Sequence, residues 1–393
     1  MKAPNTLPIA IVGAGLGGLT LGIALRRAGF EVRLFERAPA LAEVGAGITL
    51  WSNALRALDS LDVGAAVRNV GRIAHGGVIA LRDGRHLVDT TARDLDALGP
   101  VAELRALHRA ELQQALFEQL PAGLVQFDAR CTGYRVSGGG ATLTFVDTKG
   151  QEFEQEAWLA VGADGIHSAM RAELTGDETR YAGYACWRGI CHVPPGWGGV
   201  GGEIWGVGDR FGVVQLPGER LYWFAVATMP PNSKSAAPKQ ELLDRFGGYA
   251  FDVPAIIEAT HPDAIIFRDI IDRPPTPGWS DGSVTLLGDA AHATTPNLGQ
   301  GAAMAIESAV VLTRALEASE SLREALASYE RTRWPRTSWV TKTSFSIGRW
   351  AHWEGSWARA LRNTLFASLP RSTRLAQVRK LVSYDAARTP LLR

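Results

Sequence analysis

The sequence predicts an α/β fold in which strands and helices alternate, interrupted by a mixed β sheet and closed by C-terminal helices. Three observations predict it. Short apolar runs at residues 9–12 and 284–287 each lead through glycines into a helical pattern, as strand–turn–helix units do. Residues 181–267 instead carry short apolar runs punctuated by Pro194-Pro195-Gly196, Gly198-Gly199 and Pro230-Pro231, which reads as antiparallel sheet with turns. After Ala309 the pattern is helical to the end of the chain.

The first unit begins at Pro8. Its strand, residues 9–12, runs into Gly13, Gly15 and Gly18, a G-x-G-x-x-G spacing that also contains Gly17. Residues 19–27 read as a helix ended by Gly29, and a second strand, 31–35, ends in Glu36. Strand, glycine turn, helix, strand and acid in this order are the Rossmann-like context of a dinucleotide fingerprint. The glycines make the turn, admit a pyrophosphate and let the helix pack, and the acid takes ribose hydroxyls. Residues 43–53 are glycine-bearing and mostly apolar, and Gly45 and Gly47 allow close backbone approach. At residues 158–171 a strand delivers Asp164-Gly165 and a helix begins near Ser168, an N-cap residue type.

The most informative segment is 284–309. Its strand ends in Gly288-Asp289, a polar loop with Pro296 follows, and Gly299-Gln300-Gly301 opens a helix, through Ala302 and Ala303, that is apolar on nearly every side and therefore buried. A carboxylate at the tip of a buried strand suits a sugar-like hydroxyl. A glycine-rich helix start offers bare backbone N–H groups and a positive dipole end to something electron-rich. His292 within this segment reads as a loop histidine bonded to backbone.

In the β-rich stretch, Gly196, Gly198 and Gly201 repeat the G-x-G-x-x-G spacing, but no strand precedes and no helix pattern follows, so they read as a loop. Pro217-Gly218 separates 210–216 from 221–227, a hairpin candidate. A two- or four-residue turn puts Arg210 and Tyr222 on opposite faces; a three-residue loop or a bulge puts them on the same face. Residues 231–239 read as a surface loop, and 241–246 and 253–260 as short helices.

Composition narrows the function classes. Lys+Arg 41 against Asp+Glu 40, without a long basic tract, argues against nucleic-acid binding. Cys131, Cys186 and Cys191 form no C-x-x-C pair, which suits a cytoplasmic location and predicts no metal site. Residues 7–25 carry no charge, but their glycines argue for strand plus helix, so no transmembrane segment is expected. At 393 residues two domains fit, with a discontinuous first domain over 1–74, 100–175 and 268–345, a sheet domain over 75–99 and 176–267, and a helical segment over 346–393. Trp334, Trp339, Trp350, Trp353 and Trp357 near the C-terminus read as packing, with a membrane-surface or homodimer face as the alternative.

The segments anchored at Gly13, Asp164 and Asp289 together resemble the FAD motifs of the single-component flavin-dependent aromatic hydroxylases, the para-hydroxybenzoate hydroxylase-like family. The resemblance implies a Rossmann-like FAD-binding domain with an inserted mixed β-sheet substrate domain. It also implies one non-covalent FAD, NAD(P)H and O₂ as co-substrates, a C4a-hydroperoxide, and transfer of one oxygen to an aromatic or heteroaromatic small molecule. By the same resemblance the cofactor contacts are Gly13, Gly15, Gly17, Gly18, Glu36, Arg37, Gly47, Thr49, Arg109, Cys131, Asp164, Asp289, Gly299, Gln300, Gly301, Ala302 and Ala303. Arg109 would reach the phosphates, Asp289 the ribityl chain, and Pro296 would face the flavin C4a.

Substrate contacts are sought in residues 185–192 and the hairpin. The spacing of Arg210 and Tyr222 resembles the flavin-dependent urate hydroxylases, but those carry an asparagine where Cys186 stands, so the polar partner for urate is missing. Trp187 and Trp223 read either as core or, with Phe224, as the lining for an apolar substrate. Zeaxanthin epoxidases share the three motifs, so alkene epoxidation stays open, as do a flavin reductase or dehydrogenase and a non-enzymatic FAD-binding module.

Overall fold

The computed structural model of the protein describes residues 7–41 and 46–392. A six-stranded sheet is built around Ile9–Val12, which pairs in parallel with Leu159–Gly162 on one side and Val32–Phe35 on the other. Val284–Leu286 and Val125–Gln126 extend it in parallel, and Ser280–Asp281 runs antiparallel at its edge. The strands Ile9–Val12, Leu159–Gly162 and Val284–Leu286 are buried along their whole length, as the unbroken apolar runs of a covered parallel sheet require. Leu16–Arg27 and Gly301–Ala318 pack on each other. A Cβ at Gly17 would come within 2.7 Å of Leu287 and 3.1 Å of Ala305, so this glycine is what lets the two helices close.

The first helix starts at Leu16, three residues earlier than the pattern suggested, because Gly15 is extended and the chain turns directly into the helix. Ser52–Asp59, a helix with no cap signal in the sequence, follows the strand Gly47–Trp51. That strand forms a small antiparallel sheet with Leu104–His108 and Gly71–Ile73. Of the glycine-bearing stretch that precedes it, Glu43, Val44 and Gly45 lie outside the described residues.

The second large sheet has seven strands in the order Ile266–Asp272, Arg180–His192, Arg220–Thr228, Asp209–Leu216, Gly202–Trp205, Gly77–Leu81 and His86–Thr90. It is mixed because Gly77–Leu81 runs parallel to Gly202–Trp205. Helices Pro238–Phe246 and Val253–Glu258 cover one face, packing Phe246 and Ile256 against Trp187, Phe211 and Trp223 of the sheet. Trp187 and Trp223 are therefore core residues, with their indole N–H groups donated to Ser235 and Thr260. The reading of these two as substrate lining is corrected by strand alternation, which leaves only Phe224 of that trio facing the other way.

The hairpin between Asp209–Leu216 and Arg220–Thr228 pairs Leu216 with Arg220, which leaves a three-residue loop. Gly218 and Glu219 take left-handed conformations in it, at φ +72° and +52°. The odd loop length puts Arg210 and Tyr222 on one face, the uncovered one.

Leu322–Ala351, Ser356–Ser368 and Arg371–Val382 complete the chain. Trp334 packs on the main core, but Trp350 and Trp357 are 51% and 88% exposed, so packing does not account for these two. Among the described residues no helix is long and apolar enough to cross a membrane.

Candidate active site

The uncovered face of the seven-stranded sheet looks into a cleft of roughly 430 Å³. Its other side is built from the glycine turn, the strand Gly47–Trp51 and the loop from Gly288 to Ala302. Gly13 and Gly18 shape the turn: φ at Gly13 is +108°, and a Cβ at Gly18 would sit 1.9 Å from the Gly13 carbonyl oxygen. Gly15 differs, because a Cβ there would meet nothing within 4 Å and would project into open cleft. The helix Gly301–Ala318 begins at this cleft, and among the described residues no side chain caps its first turn, so its leading N–H groups and positive dipole end face the cleft.

Asp289 lies at the cleft floor. Its side chain opens onto the cleft, yet the dense protein around it desolvates the carboxyl and raises it above the ordinary carboxylate range, and the nearby Arg109 guanidinium opposes that shift. Arg109 lines the same cleft and its backbone N–H donates to the Ala46 carbonyl. Gly47 passes so close to Tyr222 that a Cβ would fall 2.3 Å from the ring. Thr49 lines the cleft and faces Gly299, which is left-handed at φ +59°. Pro296 is exposed at the same loop. A long cradle with bare amides, a free carboxylate and room above Gly15 fits a flavin dinucleotide.

Other residues taken as cofactor contacts are placed differently. Glu36 accepts backbone N–H bonds from Ala14 (2.8 Å) and Ala38 (3.0 Å), bracing the fingerprint turn. Asp164 accepts from the Ala169 N–H at 3.0 Å, while its other oxygen is buried without a partner among the described residues, and burial raises its carboxyl. Arg37 is exposed outside the cleft lining. Cys131 and Ala303 pack in the main core, and burial pushes the Cys131 thiol up to about 12. The Gln300 side chain points away from the cleft and accepts from Asn53 (2.8 Å) and Arg336 (3.1 Å). Chain spacing alone does not separate a residue that offers backbone to the cleft from one that offers a side chain.

Behind the helix start lies a fully buried charge group. Glu307 accepts from Asn53 (2.6 Å), Arg333 (2.8 Å) and Arg336 (3.2 Å). Burial alone would raise this carboxyl, but the two arginines and Asn53 outweigh it and hold it below its ordinary value. His292, expected to bond backbone, instead contacts the Ser308 hydroxyl at 2.9 Å through its ring. Its burial, next to Arg333, pushes it down to about 3, so it is neutral.

On the sheet wall, Arg210 is 2% exposed and divided between two partners. It donates to Glu203 (3.1 Å) within the sheet and to Asn297 (2.7 Å) in the Pro296 loop, while its Nε has no partner among the described residues. Asn297 in turn donates to the Tyr184 hydroxyl (2.9 Å), the Thr295 hydroxyl (3.0 Å) and the Ser344 carbonyl (2.8 Å). Arg188 is the opposite case. It lines the cleft half-buried, its polar neighbours are Cys186 and Tyr222, and among the described residues it forms no ion pair with a carboxylate. Val214, Tyr222, Phe224 and Val226 complete an apolar wall around it. Arg188, Glu203 and Asn297 were not singled out from the sequence. The signal for Arg188 was there in part: once Tyr222 faces the cleft, alternation and antiparallel pairing carry Cys186 and Arg188 to the same side.

A family model described as FAD binding domain matches residues 6–186 and 274–344. The chain is 40% identical over 389 residues to an aurachin C monooxygenase/isomerase of Stigmatella aurantiaca, covering 98% of this chain and 99% of that protein. It is 32% identical over 381 residues to a 2-heptyl-3-hydroxy-4(1H)-quinolone synthase of Pseudomonas aeruginosa, with 94% and 96% covered. Klebsiella pneumoniae HpxO, solved with FAD and uric acid, superposes with a TM-score of 0.86 at 25% identity, over 96% of this chain and 97% of that one.

Proposed function

Because the chain belongs to the FAD-dependent aromatic monooxygenases, which use NAD(P)H, we propose that its substrate is an electron-rich heteroaromatic ring bearing an acidic or enolic oxygen. The observation that carries this reading is Arg188, a half-buried cation on the cleft wall with no carboxylate among the described residues to neutralise it. A cation kept in such a place favours an anionic oxygen through a charge-assisted hydrogen bond. Tyr222, Phe224, Val214 and Val226 would hold the ring and exclude water. The similarity to an enzyme named for a hydroxylated quinolone supports a heteroaromatic ring. Cys186 stands where a polar partner for a purine would be needed, which disfavours urate.

FAD, when bound, supplies the oxygen activation that side chains cannot perform. Gly15 would leave room for its pyrophosphate, Asp289 would accept hydrogen bonds from its ribityl hydroxyls, and the helix start at Gly301 would stabilise negative charge on the ring. Arg210 is a positioning residue in this reading, since both of its Nη groups are already engaged. The three free, buried cysteines suit a reducing compartment, the cytoplasm, where NAD(P)H is supplied.

The test is a panel of hydroxylated and unhydroxylated heteroaromatics, read by stimulated NAD(P)H oxidation and product mass. The ring-hydroxylated members should stimulate turnover and gain the mass of one oxygen. Arg188→Ala should lower kcat/KM roughly 10–100-fold for them with FAD content unchanged. Arg188→Lys should recover part of that loss. Unchanged kinetics in Arg188→Ala would remove Arg188 from the site, and oxidation of NAD(P)H without oxygen in any product would reject the monooxygenase assignment.

A further inference from the structure

The helix Ser356–Ser368 is amphipathic in an unusual sense: one of its two arginines, Arg362, is inside, and its most exposed side chains are apolar. Arg362 is 3% exposed, donates to the Ala351 carbonyl at 2.6 Å, and lies over the Trp205 ring at 5.0 Å. Phe366 meets the edge of the same indole at 4.9 Å. On the outer side Trp357, Leu361 and Leu365 recur every fourth residue and are 88%, 56% and 55% exposed. The residues exposed between them, Ala360, Thr364, Ala367 and Ser368, carry no charge. Trp350, on the preceding helix, is a further exposed aromatic.

The C-terminal stretch of sequence that carries this face is basic. Residues 346–393 hold nine lysines and arginines against two acids, in a chain whose net charge is +1. Arg379 and Lys380 are exposed on the helix that follows and line a second groove there, while Arg371 at the start of that helix is paired with Asp94.

We propose that this face docks on an anionic phospholipid surface, with Trp357, Leu361 and Leu365 at the acyl boundary and the basic residues among the headgroup phosphates. Charge complementarity selects this occupant. A symmetric contact with a second copy would set each basic surround against its twin, whereas a bilayer bearing negative headgroups meets both the apolar stripe and its cationic rim. Exposed tryptophan beside arginine and lysine is also the composition that the membrane interface favours. Docking there would matter for the cleft. Trp205, on which the helix rests, donates its indole N–H to Glu203 at 3.0 Å, and Glu203 lines the cleft. The substrate-facing sheet would thus be held at the lipid surface, independently of which ring the cleft accepts.

The experiment is co-sedimentation of the full FAD-loaded chain with phosphatidylcholine vesicles, with and without 30% phosphatidylglycerol by design, about 0.1 M salt being enough to test screening. The chain should pellet with the anionic vesicles, less so as salt rises, and only weakly with pure phosphatidylcholine. Trp357→Ser combined with Leu361→Ser should lower the partition coefficient roughly tenfold or more. Because both side chains are exposed, the double variant should keep its FAD and its melting temperature. Failure of the parent chain to bind anionic vesicles, or equal binding by the double variant, overturns the proposal. So does sedimentation velocity showing a dimer that the double substitution dissolves, since the face would then belong to a second copy.

Discussion

A Cβ added at Gly15 would meet no atom within 4 Å, so Gly15→Val leaves the protein's own packing intact and fills space that the dinucleotide needs. The purified variant should fold with a normal melting transition yet lose the flavin absorbance, which a spectrum of the protein peak checks directly. Asp289→Ala removes an acceptor at the cleft floor. We expect a loss of ~1.5–3 kcal/mol, roughly one to two decades in FAD affinity by titration of the apoprotein, and an unaltered dissociation constant would exclude the contact. The glycine spacing and Asp289 were legible in the sequence because they serve a turn or a strand tip, both local features. Arg188 and Asn297 were not, because their partners and their lack of partners arise only when strands from distant parts of the chain are paired.

At the scale of elements, the start of Gly301–Ala318 is held from behind by Glu307, Arg333 and Arg336. Glu307→Leu would leave two buried guanidinium groups without their carboxylate. Breaking such a group from one side costs ~3–5 kcal/mol, which a urea titration followed by tryptophan fluorescence would measure as a lower midpoint at unchanged slope. Loss of under about 1 kcal/mol would mean that the arginines find other partners. Strands and helices of the nucleotide-binding units were largely readable, since buried parallel strands are unbroken apolar runs. The network behind them was not, since Glu307 and Arg333 sit in sequence like any exposed helical charge and only the tertiary packing buries them. The hairpin illustrates the same limit: its turn residues were plain, but the three-residue length that decides which side chains share a face had to be seen.

Across the whole molecule, His292 and His352 are each pushed down to about 3, chiefly by burial, with nearby arginines adding to it. In the unfolded chain both recover an ordinary histidine value near 6.5. The unfolded state therefore binds more protons between these limits. The stability they contribute is complete above about 6.5 and is lost as pH falls toward about 3, with a slope of at most ~2.7 kcal/mol per pH unit for the two together. Melting temperature should drop from pH 7 to pH 5, and replacing His352 with glutamine should flatten that dependence; an equal drop in the variant would assign it to other groups.

Arg210 joins the two walls of the cleft, with one Nη on Glu203 of the sheet and the other on Asn297 of the Pro296 loop. A shared guanidinium makes the occupants of the two walls thermodynamic partners. If the ring substrate tightens FAD binding by some factor, FAD must tighten the substrate by that same factor, and Arg210→Ala should bring both factors toward one together.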